Sequence, residues 1–474
     1  MATYDAVVVG AGPNGLSAAV QLAKAGLSVH VIEAADIIGG GTRTKQLTLP
    51  GYWHDICSAI HPFGRGAPAL AALPLEDHGL TWRFSAVEVA HPLDDGRAAL
   101  LYADVEKTAD RLGIDGDRYR STIGKWARHA DDLFEFTLGP MARVPQHPLL
   151  LAEFGTRALL PATKWVRGFS TDEARALFGG NAAHNTTALD VPASAAVGFA
   201  LMTAAHAYRW PVAEGGSASI TAALASYLGS LGGTIETGKT IRTAADLPEA
   251  RLTLLSVTPP AFSRIYGTAL SGRDRSRAEN WQFGPGVFKV DWALDGPIPW
   301  TNTDVRKAAT VHVGGTFEEI AESESTMASG GHADRPYVLM AQQTVADPTR
   351  APNGKHTAWG YCHVPSGSTV DRTDAIERQI ERFAPGFRDL VLGRHTMTTA
   401  DYASYNENYV GGDIIGGAFT LSQIVARPKV VHPHTTSVDG VFLCGASTAP
   451  GAGIHGMAGW WAARAALRSI GKDI

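Results

Sequence analysis

The stretch that most constrains this chain is a Val-rich run that ends in glycines. Ala6-Val7-Val8-Val9 leads directly into Gly10-Ala11-Gly12-Pro13-Asn14-Gly15. A strand buried on both faces of a parallel sheet reads as such a continuous apolar run. An Ala-rich helical stretch, 16–25, follows and stops at Gly26, and Ser28-Val29-His30-Val31-Ile32-Glu33 is a second strand. The spacing predicts one βαβ unit. Gly10 permits the tight turn, Gly12 lets the backbone approach a pyrophosphate, and Gly15 lets helix and strand pack closely. The helix that opens past Pro13 and Asn14 offers N–H groups and a partial positive charge to the anion. Glu33 stands about 20 residues further on, where an acid accepts hydrogen bonds from ribose hydroxyls and repels a 2′-phosphate. The unit is expected to hold a dinucleotide other than NADP.

The residues after Glu33 narrow the choice. Ala34-Ala35-Asp36-Ile37-Ile38 runs into Gly39-Gly40-Gly41-Thr42-Arg43. NAD does not need a second glycine turn just past the acid. The arrangement resembles the Gly-Gly motif of two-dinucleotide-binding flavoproteins, and that resemblance implies FAD.

Further along, helices are expected over 104–112, 117–136, 220–231 and 373–384. In the second of these, Tyr119, Ile123, Trp126, Ala130 and Leu133 make one apolar face. Residues 193–208 read as a buried helix. Residues 149–169 are apolar but carry Arg157, Lys164 and Arg167, the pattern of a core helix with solvated charges or of a helix lying on a membrane surface. Strands are expected over 234–237, 252–257, 287–292 and 440–445, and a last helix over 456–467. The fold class is therefore α/β. A Rossmann-type FAD-binding domain would be assembled from 1–85, 210–262 and 415–474. A discontinuous α+β substrate domain would come from 86–209 and 263–414.

Composition excludes several functions. The net charge of −5 lacks the basic stripe of a nucleic-acid binder. Cys57, Cys362 and Cys444 form no Cys-x-x-Cys pair, so dithiol chemistry is not expected. The 17 histidines include no His-x-x-x-His pair with a nearby acid, and His432-x-His434 sits in a Pro-rich loop, so no metal site is expected. The opening Met1-Ala2-Thr3-Tyr4-Asp5 has no basic leader, and no apolar run spans a bilayer. These readings predict a cytoplasmic chain, with the low charged fraction of 18% leaving apolar surface for a pocket or a peripheral membrane contact.

Longer segments carry a family resemblance. They are Gly51-Tyr52-Trp53-His54-Asp55-Ile56-Cys57-Ser58-Ala59-Ile60-His61-Pro62, Asn181-Ala182-Ala183-His184, Trp210-Pro211-Val212-Ala213-Glu214-Gly215-Gly216, Ala384-Pro385-Gly386-Phe387, Gly411-Gly412-Asp413, and Pro450-Gly451-Ala452-Gly453-Ile454-His455-Gly456-Met457. In that order they resemble the phytoene desaturase-related FAD oxidoreductases of the amine oxidase-like flavoprotein group. The resemblance implies that Gly10, Gly12, Pro13, Asn14, Gly15, Glu33, Ala34, Gly40, Gly41, Thr42 and Arg43 hold the adenosine, ribose and diphosphate side. Ile241 would meet adenine. Ser58, Ala59, Gly445, Ala446, Gly453, Ile454, His455, Gly456 and Met457 would lie along the ribityl chain and flavin. Arg in place of Thr42 is common in the wider group, and Arg43 is expected to substitute for it.

By the same resemblance, His61, Asp413 and His455 are the candidate acid–base residues. The implied activity is dehydrogenation or desaturation of an apolar small molecule by hydride transfer to flavin N5, with oxygen, a quinone or another acceptor taking the electrons. One nucleotide fingerprint is present, so a stable second NAD(P) site is not expected. Redox-neutral isomerisation or hydration, amine oxidation, and a flavin-binding interaction protein without turnover stand as alternatives. The sequence leaves the oligomeric state open.

Overall fold

The computed structural model describes residues 4–472, so the opening Met1-Ala2-Thr3 and the last two residues of the expected C-terminal segment lie outside it. A five-stranded sheet is built in the order Val441–Leu443, Ala250–Leu255, Tyr4–Val9, Val29–Ile32, Thr234–Glu236. Every pairing in it is parallel, with Ala6 opposite both Val29 and Leu252. Alternate side chains of the central strand enter different cores. Ala6 and Val8 pack with Leu16, Ala19 and Val20 of the glycine-turn helix Pro13–Lys24, whereas Val7 and Val9 pack with Phe262 and Ile265 of the helix Pro259–Tyr266. Burial on both faces is why the strand sequence does not alternate.

Helices Ala218–Ser230 and Met457–Ser469 flank the glycine-turn helix on one side of this sheet. The last helix comes very close. A Cβ on Gly459 would lie 1.8 Å from the Asn14 carbonyl oxygen. Small residues on both helices thus bring the two ends of the chain together.

A second, seven-stranded sheet runs in the order Val391–Met397, Gly286–Leu294, His356–Val364, Val338–Ala341, Ala308–Val313, Val87–Pro92, Ala98–Leu101. Its pairs are antiparallel except that of Ala308–Val313 with Val87–Pro92. One face packs on the helix Thr373–Phe383 through Ile376, Ile380 and Phe383, the apolar stripe expected there. The other face, with Trp359, Tyr361 and Leu339, meets a helical layer containing Phe178 and Phe199.

Two expected helices are broken. Residues 117–136 form Gly116–Tyr119, a π turn over Arg120–Gly124, Lys125–Ala127 and Ala130–Thr137, with His129 leaving helical geometry at φ −121°. The apolar face survives because the break lies between turns, and Tyr119, Ile123, Trp126, Ala130 and Leu133 are all buried. Residues 149–169 stop at Ala158 and restart as Ala162–Trp165. Pro161 between them has no N–H to continue the helical ladder. Among the described residues no helix is long and apolar enough to cross a membrane, and no group of three or more His, Cys, Asp or Glu is placed to hold a metal ion.

Candidate functional site

An open cleft of about 320 Å³ lies at the carboxyl ends of the parallel strands. Open parallel sheets bind ligands at this edge, where the chain crosses to opposite sides of the first strand. The first wall is the glycine turn. Gly10 takes φ +99° and its N–H donates to the Ile32 carbonyl at 2.7 Å. A Cβ on Gly15 would stand 1.8 Å from the Gly10 carbonyl oxygen, so only glycine lets the helix start this close to the strand. The second glycine turn faces the first. A Cβ on Gly40 would lie 3.1 Å from the Gly12 Cα, and the Gly39 N–H donates to Ala11 O at 3.0 Å. Bare backbone therefore borders the cleft from both turns. This is the surface a diphosphate needs to approach amide groups.

Glu33 ends the second strand on the cleft wall. Its Oε2 accepts from Ala11 N–H at 2.7 Å, and Oε1 accepts from Ala35 N–H at 3.0 Å and Arg43 Nη2 at 3.1 Å. Arg43 also donates to the carbonyls of Ile37, Ile38 and Tyr405 and lies 5.0 Å from the Tyr405 ring centre. Its guanidinium ties the second turn to Glu33 and to residues 404–409. Thr42, beside it, is buried and donates to Gly39 O at 2.7 Å.

The structure gathers Gly10, Gly12, Pro13, Asn14, Glu33, Ala34, Gly40, Gly41, Arg43 and Ile241 on this cleft, together with Gly445, Ala446, Gly453 and Ile454 from the far end of the sequence. Gly15, Thr42, Ser58, Ala59, His455, Gly456 and Met457 do not line it. Ser58 donates its N–H to Gly41 O at 3.1 Å, and Ala59 is buried.

The three side chains expected to act as acids or bases are all engaged in internal bonds. The Ser217 hydroxyl donates to Ser58 O at 2.6 Å, which leaves the His61 Nε2–H to donate to Ser217 Oγ at 2.8 Å. Burial pushes His61 down to about 4. His455 Nδ1 accepts the Met457 N–H at 3.0 Å and so caps the last helix, and burial pushes it to about 4 as well. Asp413 receives four backbone N–H groups, from Gly284 at 2.7 Å, Ile415 at 2.8 Å, Gly416 at 3.0 Å and Gly417 at 2.8 Å. It is a loop organiser, although burial still raises its carboxyl above the ordinary range. Each of the three is thus held in place by hydrogen bonds within the fold.

A buried cluster of titratable and aromatic side chains lies away from the cleft lining, on the second sheet. Trp359, Tyr361 and His363 stand on one face of the strand His356–Val364, with ring centres 5.6 Å and 5.7 Å apart. Tyr361 belongs to the core cluster against which Cys57, the neighbour of Ser58, packs. His363 Nδ1 lies 2.7 Å from Glu324 Oε2, and His363 Nε2 is buried with no hydrogen-bond partner among the described residues. His184 and His312 meet Nε2 to Nε2 at 2.9 Å, and burial together with neighbouring His363 pushes His184 to about 3. The signal available was the period-two spacing of Trp, Tyr and His in a strand. Nothing local says which face of such a strand meets a site.

The fold and the cleft define a mixed α/β protein with a Rossmann-like dinucleotide-binding region. Residues 8–73 match the family model described as "NAD(P)-binding Rossmann-like domain". The chain is 26% identical over 550 residues to pyridine nucleotide-disulfide oxidoreductase domain-containing protein 2 of Rattus norvegicus, covering 98% of this chain and 94% of the relative. It is 24% identical over 507 residues to the neurosporene-forming phytoene desaturase of Rhodobacter capsulatus, covering 96% and 92%. Among solved structures it resembles an oxidoreductase from Methanosarcina mazei (TM-score 0.64, 18% identity, 96% and 98% covered) and putrescine oxidase (TM-score 0.62, 20% identity, 99% and 100% covered). The resemblance to the phytoene desaturase-related, amine oxidase-like flavoproteins thus extends over nearly the whole chain.

Proposed function

We propose that this protein is an FAD-dependent oxidoreductase that dehydrogenates or desaturates an apolar organic substrate. The observation that carries the reading is the cleft itself, where two facing glycine turns, Glu33 and the remote residues Gly445, Ala446, Gly453 and Ile454 border one continuous space. A mononucleotide would not need a wall that long. Gly10, Gly12 and Gly40 would bear the diphosphate, Glu33 the ribose and Ile241 the adenine. Segments 1–85, 210–262 and 415–474 would form the FAD unit, and 86–209 and 263–414 the substrate unit.

When bound, FAD supplies a hydride acceptor, and the electrons leave to oxygen, a quinone or another acceptor. The protein must then place a C–H bond and remove a proton. We place the substrate toward Trp359 and Tyr361, which lie on the buried face of the second sheet and do not themselves line the cleft. His363, with Nδ1 held by Glu324 and Nε2 unengaged, is the group we assign to receive the proton. Glu324 fixes its tautomer and orientation.

Amine oxidation is the second reading, favoured by the putrescine oxidase-like fold. Against it, the match to a probable flavin-containing monoamine oxidase A of Dictyostelium discoideum, although 47% identical, covers 53 residues, 11% of this chain. Aromatic side chains bracketing the flavin would favour amine oxidation, and the tryptophans nearest in sequence to the cleft segments are engaged elsewhere. Trp210 is buried and donates to Thr310 Oγ1 at 2.8 Å, while Trp460 and Trp461 pack on one another at 4.7 Å.

The test is the visible spectrum of the purified protein, followed by anaerobic mixing with isoprenoid alkenes and with primary amines. A flavin spectrum bleached by alkenes supports the first reading, and bleaching by amines alone supports the second. Conversion of an alkene without bleaching or added acceptor points to redox-neutral chemistry, and a flavin that no compound reduces points to a binding role. A folded, colourless protein that takes up no FAD overturns the proposal.

A further inference from the structure

Residues 404–409 leave the end of the helix Thr399–Tyr405 and border the cleft along their whole length. They are anchored to three separate parts of its wall. On the second glycine turn, the Tyr405 hydroxyl donates to Gly40 O, and Arg43 Nη1 donates to Tyr405 O at 3.2 Å. Tyr409 sits down on the same turn, where a Cβ on Gly41 would stand 2.5 Å from its hydroxyl oxygen. Past the end of the strand Ala250–Leu255, Asn408 Nδ2 donates to Ser256 O at 3.1 Å, and its Oδ1 accepts the Thr258 N–H at 3.1 Å. On the loop after the strand Thr234–Glu236, which carries Ile241, Arg242 donates to both carboxylate oxygens of Glu407, at 2.7 Å and 2.8 Å. The segment also holds its own shape. The Asn408 N–H donates to Asn406 Oδ1 at 3.1 Å, and the Tyr409 N–H donates to Asn406 O at 2.8 Å.

The anchors differ in what can release them. Those at Gly40, Arg43, Ser256 and Thr258 are part-buried bonds that involve main-chain groups. The Arg242 and Glu407 side chains are 61% and 53% exposed. Their two parallel bonds fix a definite geometry, but water and salt compete for both charges. The last anchor is therefore the weakest and the most responsive to conditions. Gly40, Arg43, Arg242 and Ser256 all line the cleft themselves, so residues 404–409 join its walls across the space between them.

We propose that residues 404–409 are a strap that retains the cofactor, with Arg242 and Glu407 as its releasable clasp. The inference rests on the FAD reading above, which assigns the diphosphate to Gly10, Gly12 and Gly40 and the adenine to Ile241. The strap ties those two parts of the wall together, so the cofactor leaves only when the strap lifts. Breaking the clasp makes lifting more frequent and release faster. Arg242 and Glu407 act by holding the strap, so their role is in positioning and not in the chemical step.

The experiment loads the full-length protein with FAD, dilutes it, and follows by timed ultrafiltration how fast flavin leaves. E407Q keeps the shape of the side chain and loses its charge, and should speed release about two- to fivefold, the worth of one exposed ion pair. R242E sets two acids face to face and should speed release further. R242E/E407R rebuilds the pair in reverse and should bring release back to within about twofold of the parent. N408A, at a second anchor, should speed release about tenfold through the loss of two hydrogen bonds. Added salt should speed release from the parent more than from E407Q. Arg242 and Glu407 are at the surface, so E407Q and R242E should keep the parent's melting temperature when FAD is absent. Release at the same rate from the parent, E407Q and R242E overturns the strap and leaves the FAD reading standing. So does a reversed pair that releases flavin as fast as R242E. A folded protein that takes up no FAD overturns both.

Discussion

Gly459→Ala tests whether the meeting of the chain ends is what builds the cleft. Gly459 lies in the helix Met457–Ser469, where alanine is intrinsically better than glycine by about 1 kcal/mol. The tertiary contact has the opposite sign. The new Cβ would stand 1.8 Å from Asn14 O, 2.8 Å from Asn14 C and 2.9 Å from Ala18 N. These are backbone atoms of the glycine-turn helix, so no side-chain rotation relieves the clash, and one helix must retreat by more than an ångström. Overpacking of this kind costs about 1–3 kcal/mol, occasionally more, and a backbone obstacle calls for the upper end. The net expectation is a loss of about 2 kcal/mol once the propensity gain is subtracted. Gly155→Ala is the control. Gly155 also lies in a helix, Pro148–Ala158, and a Cβ there meets nothing within 4 Å. It should gain roughly 0.5–1 kcal/mol. Urea unfolding of both variants, with bound flavin measured after gel filtration, reads the two signs side by side. A Gly459→Ala protein as stable and as yellow as its parent would refute the argument that this contact sets the distance between the two cleft walls.

Glu33→Ala leaves the Ala11 and Ala35 N–H groups and Arg43 without their shared acceptor, and should cost about 3 kcal/mol in urea unfolding together with most of the bound flavin. Arg350→Met removes the partner of Asp55, a pair at 2.7 Å with both side chains fully buried, and should destabilise by about 3–5 kcal/mol, whereas adding Asp55→Asn should recover part of that loss. His61 and His455, pushed down to about 4, stay neutral in the fold while the unfolded chain takes up protons below about 6.5. Stability should therefore be full above that value and fall as pH drops toward 4, by roughly 2 kcal/mol per histidine at pH 5. A urea midpoint that is flat from pH 7 to pH 5 would contradict this. His363→Gln should slow anaerobic flavin reduction by about 10²–10⁴-fold, while leaving the flavin spectrum unchanged.

The first glycine turn, its flanking strands and Glu33 were legible from residues alone, because that chemistry is local. A turn needing φ +99° at Gly10 and a helix starting at a carbonyl demand glycine wherever the rest of the chain lies. The apolar stripes of 117–136 and 373–384 were legible for the same reason, since burial follows periodicity even where the helix itself breaks. Local pattern said nothing about which histidines are free. His61, Asp413 and His455 lie in segments that suggest a site, but Ser217, the Met457 amide and the amides of Gly284, Ile415, Gly416 and Gly417 engage them. Those partners are as many as 156 residues away in sequence for His61 and 129 for Asp413. The sequence by itself determined a strand, a glycine turn, a helix and an acid, each set by the conformational limits of its own residues. Tertiary structure decided which side chains face the cleft and which are satisfied within the fold. Hydrogen-bond partners and excluded volume come from segments far apart in the chain, and only packing brings them within a few ångströms.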